Sequence, residues 1–321
     1  MDDEDHVVES LWARRVRWAR AADAAKKRVD YARSAVLYLG GVGAIAAAMT
    51  ATVARASGLP QLLAATVSAT CLAAATFVGA HFLTPAEFRR WSRTRAVAES
   101  IKQVIYRFRA RAGPFRGNDA LLRLYRAVAE IEESADDLLP FVAEVDADAA
   151  SAGRISRSAT AMPPVMTPDD YVRDRVQHQI THYYDRTARE YAGRARRLRM
   201  WTIVLGLTAT VVAALAAVQA GTATGSAPIS PASTLAPWVA VLTTLGAAVA
   251  GHLTGRRYEF LVMSYSATAR RLQQLLDEWK AAGSPADEPR WTAFVDDCEN
   301  AIAVENQTWV AKWAEPPLDD R

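Results

Sequence analysis

The sequence has almost no cysteine: Cys71 and Cys298 are the two thiols in 321 residues. Two cysteines cannot make a disulfide framework, and with one in an apolar run and the other among charges they read as separate free thiols. Lysine is nearly as scarce, 5 residues against 33 arginines, and the net charge of +3 is too small to point to nucleic acid. HExxH, CxxC, P-loop and GxSxG patterns are all missing. The readings they would support, from metalloprotease to serine hydrolase, lose their footing. No enzyme activity and no cofactor is expected. The acidic start, MDDEDH, with no apolar run before Ser34, does not fit a cleavable signal peptide.

Charge is missing in places rather than overall. Asp, Glu, Lys and Arg are absent from Ser34 to Ala54, from Ala56 to Ala86 and from Met200 to Gly255. Four apolar segments fit these windows: 34–54, 59–83, 200–220 and 235–253. About 20 apolar residues in helix cross a hydrocarbon core of about 30 Å, so each is long enough to span a bilayer. The alternative is a pair of very apolar hairpins buried in a soluble core.

Within 20 positions of the span ends there are 23 basic residues on one side, against Arg55 alone in the inter-span loops 55–58 and 221–234. The positive-inside rule then predicts an inner (plasma) membrane protein with both termini in the cytoplasm. Trp201 and Trp238 fall at span ends, where interfacial aromatics belong.

The rest reads as helix. Val8, Leu11, Trp18, Ala22, Ala25 and Val29 follow helical spacing. Trp91, Ala98 and Ile105 repeat every seven, as do Thr94, Ile101 and Phe108. Leu261, Tyr265, Ala269, Leu272 and Trp279 continue the pattern, and Trp291, Val295, Cys298, Ile302, Trp309 and Trp313 mark a last helix. Pro140 should kink or split its helix. Residues 149–167 form a linker ending in Thr167-Pro168-Asp169-Asp170, a strong helix start. Thr84-Pro85-Ala86-Glu87 is a capping box, so the second span should kink or restart there. The elements 7–33, 86–111, 168–199 and 256–281 are expected to prolong their adjoining spans. The fold class is thus an all-α membrane protein of two tandem repeats, 7–148 and 168–315. Each repeat is a two-span hairpin with long cytosolic helices, giving four transmembrane helices in all. At an offset of 171, Ala80-His81 aligns with Gly251-His252, and Ala96, Ala98 and Ile101 align with Ala267, Ala269 and Leu272.

Several residues invite a sharper reading. Gly40-Gly41-x-Gly43 lies inside a span with no βαβ context, so it reads as close helix packing, as does Gly246…Ala250-Gly251. Asp296-Asp297-x-Glu299 and Glu130-x-Glu132-Glu133 have no histidine nearby and read as solvated helix faces. His178 and His182 share a helix face but lack a third ligand, so no metal site is assigned. His81 and His252 sit near the inner ends of spans two and four, either as interfacial groups or as gating residues. The clusters Lys26, Lys27 and Arg28, Arg89 and Arg90, and Arg194, Arg196, Arg197 and Arg199 adjoin the spans. Attraction to anionic headgroups, about 1 kcal/mol per residue, accounts for them; binding of an anionic nucleotide is the other reading.

The stretch Trp91…Arg95-Ala96-Val97-Ala98-Glu99-Ser100-Ile101-Lys102…Phe108…Arg111-Ala112-Gly113-Pro114 resembles the SLATT domain, with Arg95, Ala98 and Glu99 as its motif. The second half, with Tyr171…Arg175…Gln179…Tyr183-Tyr184, an apolar hairpin and Tyr265…Thr268-Ala269…Leu272…Trp279, is similar to another branch of the family. The resemblance implies a two-transmembrane effector of bacterial conflict systems that forms a pore or disrupts the membrane. It also implies a separate sensor or second-messenger synthase as trigger. Four packed spans leave no aqueous path, so conduction requires a homo-oligomer lined by polar span residues such as Thr66, Thr70, Thr208, Thr243 and Thr244. Apolar positions in the cytosolic helices, including Trp91, Ile105, Leu272 and Trp279, either add to that assembly or pair within one chain. The competing function is a non-conducting membrane protein whose cytosolic helices dock partners. The two are separated by whether overexpression is toxic.

Overall fold

The computed structural model describes residues 3–53, 58–151, 161–222, 232–255 and 257–314. Among them every regular element is helical. In chain order these are α1 (Asp3–Val53), α2 (Leu59–Phe82), α3 (Pro85–Arg109), α4 (Ala120–Glu133) and, after a 3-10 turn at Asp136–Leu138, α5 (Leu139–Ser151). The short α6 (Pro168–Asp170) leads into two π-helical stretches, Tyr171–Gln177 and Gln179–Tyr184. Then come α7 (Asp185–Thr222), α8 (Ala232–Gly255), α9 (Tyr258–Ala281) and α10 (Glu288–Ala314). The inter-span loops 55–58 and 221–234, the middle of the 149–167 linker and the side chains of Trp309 and Trp313 lie largely outside the described residues.

Two compact units cut across the sequence halves. Residues 1–28, 85–189 and 262–321 form a charged unit, and residues 29–84 and 190–261 form an apolar one. The charged unit is built on the predicted apolar stripes. Leu11 and Trp18 of α1 pack with Ile101 and Ile105 of α3 and with Leu124 and Val128 of α4, all essentially inaccessible. Burying side chains of this size contributes roughly 1.5–3 kcal/mol each. Trp91, Ile105, Leu272 and Trp279 are all buried within the chain. The seven-residue seams are therefore closed internally and leave no apolar surplus at those positions for a second copy. An aromatic cluster organises the other end: Trp279 stacks on Phe294 at 4.8 Å, and Tyr171 meets Trp291 edge-on at 5.6 Å.

Helix boundaries follow local chemistry. The Thr167 hydroxyl accepts from the Asp170 amide while Asp170 accepts from the Thr167 amide, both at 3.2 Å, closing a reciprocal capping box. Pro140 falls in the first turn of α5, so the 119–148 pattern is split just before it. α2 ends at Phe82 and α3 restarts at Pro85, as the Thr84-Pro85 signal predicts. α1 and α7 run unbroken through Arg33-Ser34 and Arg199-Met200. The expectations that 86–111 and 256–281 prolong their spans are overturned: α2 ends at Phe82 before α3 begins, and α8 ends at Gly255 with α9 beginning at Tyr258. Arg257 between them is left-handed, with φ 47, and its amide reaches back to the Thr254 carbonyl at 3.0 Å. A left-handed residue just past the last helical turn cannot continue the helix and ends it.

In the apolar unit, helices approach at small residues. A Cβ on Gly43 would lie 2.9 Å from Leu72, and the Ser68 hydroxyl donates to the Gly43 carbonyl at 2.9 Å. A Cβ on Gly41 would lie 3.2 Å from Leu245, and one on Gly246 would make ordinary contact with Leu205 at 3.8 Å. Gly40 and Gly251 face open space, so the packing reading fails for those two. Large apolar side chains point outward, among them Leu62, Phe77, Trp201, Leu207 and Val211. Four helices are long and apolar enough to cross a membrane. In three of them only 6 % of the most apolar stretch is buried. A soluble core hairpin would bury these residues, so that alternative falls.

Candidate functional site

Three exposed span threonines have their hydroxyls satisfied within their own helices. Thr66 donates to the Leu62 carbonyl at 2.8 Å, Thr208 to Val204 at 2.8 Å and Thr243 to Val239 at 3.0 Å. Thr70 and Thr244 are exposed as well. Bonding back to the i−4 carbonyl lets a hydroxyl face hydrocarbon without an orphaned donor. The exposed His81 shares a hydrogen bond between Nδ1 and the Phe77 carbonyl at 3.1 Å and stacks on the Phe77 ring at 4.1 Å. His252 is half-buried.

The basic clusters divide by partner. Arg28 lies 3.7 Å from Glu144 and over the Phe141 ring, and Arg90 pairs with Glu87 at 2.6 Å and covers the same ring. Arg199 pairs with Glu259 at 2.5 Å, and Arg194 lies over Tyr191. Lys27, Arg89, Arg196 and Arg197 are exposed, while Lys26 is half-buried.

The motif residues occupy three different environments. Ala98 is buried in the core between α1 and α3. Arg95 donates to the Tyr183 hydroxyl at 3.1 Å. Glu99 lies 3.5 Å from Lys102 and 3.9 Å from Arg15. Burial works to raise the Glu99 pKa, but Lys102, Arg95, Arg15 and Arg175 outweigh it and hold the carboxyl at about 2. Burial pushes the Lys102 pKa down, with Glu99 working against that shift.

A second polar centre was misread from sequence. Glu299 is not on a solvated face: it is fully buried, and Arg175 grips it with two bonds of 2.8 Å from Nε and Nη2. The Tyr171 hydroxyl donates to the same carboxylate at 3.0 Å. The Tyr106 ring lies under the Arg175 guanidinium at 4.1 Å, and Gln103 donates to the Glu299 backbone carbonyl at 2.5 Å. Burial alone would drive the Arg175 pKa down, but Glu299 raises it; the Tyr171 phenol is pushed well up, first by burial and then by Glu299. Burial also pushes the Cys298 thiol up, away from the reactive thiolate. The signal was there to read: Glu299 lies between Val295 and Ile302 on an apolar face, and Arg175 lies between Tyr171 and Val176 on another. Each charge is buried because the other is. Glu132 departs from the solvated reading too: it pairs with Arg14 and accepts from Trp18 Nε1 at 2.9 Å. Glu130 and Glu133 are exposed. His178 and His182 stack in parallel at 4.8 Å. Their in-plane lone pairs therefore do not converge on one point. Among the described residues, no group of three or more His, Cys, Asp or Glu side chains is arranged to hold a metal.

Residues 171–309 match the family model described as SMODS and SLOG-associating 2TM effector domain 1, SLATT_1. Residues 16–121 match a second model, described as a protein of unknown function (DUF4231). No curated protein and no solved structure matches the chain. The Arg95, Ala98 and Glu99 stretch therefore falls in the second match, and the SLATT match falls on the half that carries Arg175, Glu299 and the α7 and α8 spans. With four apolar helices this is a multi-pass membrane protein, and its residues 171–309 are similar to the SLATT family of two-transmembrane effector domains.

Proposed function

We propose that this chain is a membrane effector of a bacterial conflict or anti-phage system. It acts as a homo-oligomer that opens a pore in the inner membrane or disrupts it, and a separate sensor or second-messenger synthase triggers it. The SLATT match over residues 171–309 is the observation that carries this reading. Further support comes from the outward-facing threonines Thr66, Thr70, Thr208, Thr243 and Thr244. Four spans in one chain enclose no lumen, so conduction requires several chains with these faces turned inward. The assembly rests on the spans, since the cytosolic seams close within one chain. We also read the chain as two tandem two-span repeats, 7–148 and 168–315. The helix breaks at Leu83-Thr84 and at Arg257 lie about one repeat offset apart, and each half has its own family match.

Induced expression in a bacterial host, followed with a potential-sensitive dye, tests the proposal. Depolarisation that disappears when Thr208 and Thr243 become valine supports it. Cells that hold full membrane potential with the protein abundant in the membrane count against it. Exposed Leu122 and Tyr125 on α4 and Leu139 on α5 favour the second reading, a docking protein that conducts nothing. Recovery of a defined partner lost on changing Leu122 and Tyr125 to serine, with potential intact, would establish that reading instead.

A further inference from the structure

Helices α1, α3 and α5 do not close completely on one another in the charged unit. They leave a cleft of about 880 Å3, with Tyr183 among its lining residues. Six cations line it: Arg15, Arg20, Lys26, Lys27 and Arg28 from α1, and Arg95 from α3. Three carboxylates line it as well, Asp23, Glu99 and Asp148, so the walls carry an excess of positive charge.

The ion pairs at its rim are long. Arg20 is 3.4 Å from Asp146, Arg28 is 3.7 Å from Glu144 and Arg15 is 3.9 Å from Glu99. Elsewhere in the same unit Arg93 meets Asp137 at 2.7 Å and Arg175 meets Glu299 at 2.8 Å, the ordinary length of a charge-assisted bond. The buried Nε of Arg15 has no hydrogen-bond partner. Arg15, Arg20 and Arg28 therefore keep donor capacity that these carboxylates do not use. The Glu99 carboxyl, held at about 2 despite burial, reports the positive field inside.

We propose that this cleft binds a phosphate-bearing anion. Arginine forks match phosphate oxygens two at a time, and Lys26 and Lys27 add point charge. The volume lies in the range of small-ligand sites, about 300–1,000 Å3. A phosphate on a lipid headgroup and a free phosphate compound present the same group to these residues. Binding here does not depend on whether the spans conduct, so it stands or falls apart from the pore reading.

The test uses the full-length protein in nanodiscs of pure phosphatidylcholine, titrated calorimetrically with inorganic pyrophosphate and then with tripolyphosphate. Saturable binding near one site per chain is expected. It should weaken about tenfold or more in Lys27→Glu, an exposed position that spares the fold, and in Arg15→Gln, and stay unchanged in Arg126→Glu, an exposed site on α4 outside the cleft. A parallel arm replaces half the lipid with phosphatidylglycerol. If the headgroup is the natural occupant, this lipid raises the melting temperature and suppresses pyrophosphate binding, and Lys27→Glu removes both effects. Either pattern upholds the phosphate site and names its source. Two results overturn it: no saturable binding together with no Lys27-dependent effect of phosphatidylglycerol, or equal weakening by Arg126→Glu.

Discussion

Arg175 and Glu299 are opposite charges set on two apolar faces, and the fold accepts them because they meet with good geometry in a dry place. Removing one partner leaves the other buried and unpaired, which costs about 3–5 kcal/mol. Glu299→Gln and Arg175→Ala should each lower the melting temperature in detergent strongly, and the double variant should cost much less than their sum. Additive losses would mean that the pair is not coupled. Lysine at 175 should rescue poorly, because it cannot make the two-bond fork or lie flat on Tyr106. Glu99 gives a pH signature. Its folded pKa of about 2 lies below the ordinary 4.5, so the stabilisation is present above about pH 4.5 and is lost as pH falls toward 2. The shift corresponds to roughly 3 kcal/mol at neutral pH. Glu99→Gln should therefore melt well below the parent at pH 7, with the gap narrowing steadily below pH 4.5. A gap that stays constant with pH would contradict the assignment. Neither role followed from residue type alone. A carboxylate two residues after Asp297 looks solvated until Val295, four positions before it, and Ile302, three after it, are counted with it.

Helices and their junctions were far more legible. Charge-free runs announced four spans because hydrocarbon excludes charge so strongly, and the Thr167 and Pro85 starts were visible because caps are local chemistry. The stop after Gly255 had no such signal, because the left-handed residue there is Arg257 rather than a glycine, and the apolar periodicity runs on through both sides of it. The π winding of 171–184 has no comparable local signature; it accompanies the burial of Tyr171, Arg175 and Tyr184 on one side of the segment. Within the spans, Gly43 sets how closely α1 and α2 approach. A larger residue must displace Leu72, so Gly43→Val should destabilise the hairpin by about 1–3 kcal/mol. Leu72→Ala should restore part of that loss. If Gly43→Val melts like the parent in micelles, the close approach is not what holds the hairpin.

For the whole molecule, the charge asymmetry fixes an expected orientation. A cysteine introduced at Thr224 in a cysteine-free variant should react with an impermeant maleimide in intact spheroplasts, and one at Asp136 only after lysis. The reverse pattern would place both termini outside. Under the proposed function, the charged unit would receive the trigger and the apolar unit, dressed in outward-facing leucines and threonines, would act on the bilayer. That division matters only if the apolar part alters the membrane. Planar lipid-bilayer recording with purified full-length protein, alone and with the candidate trigger added, measures this most directly. The account predicts discrete or graded conductance that falls when Thr208 and Thr243 become valine. A silent bilayer under both conditions, with the protein demonstrably inserted, would contradict it.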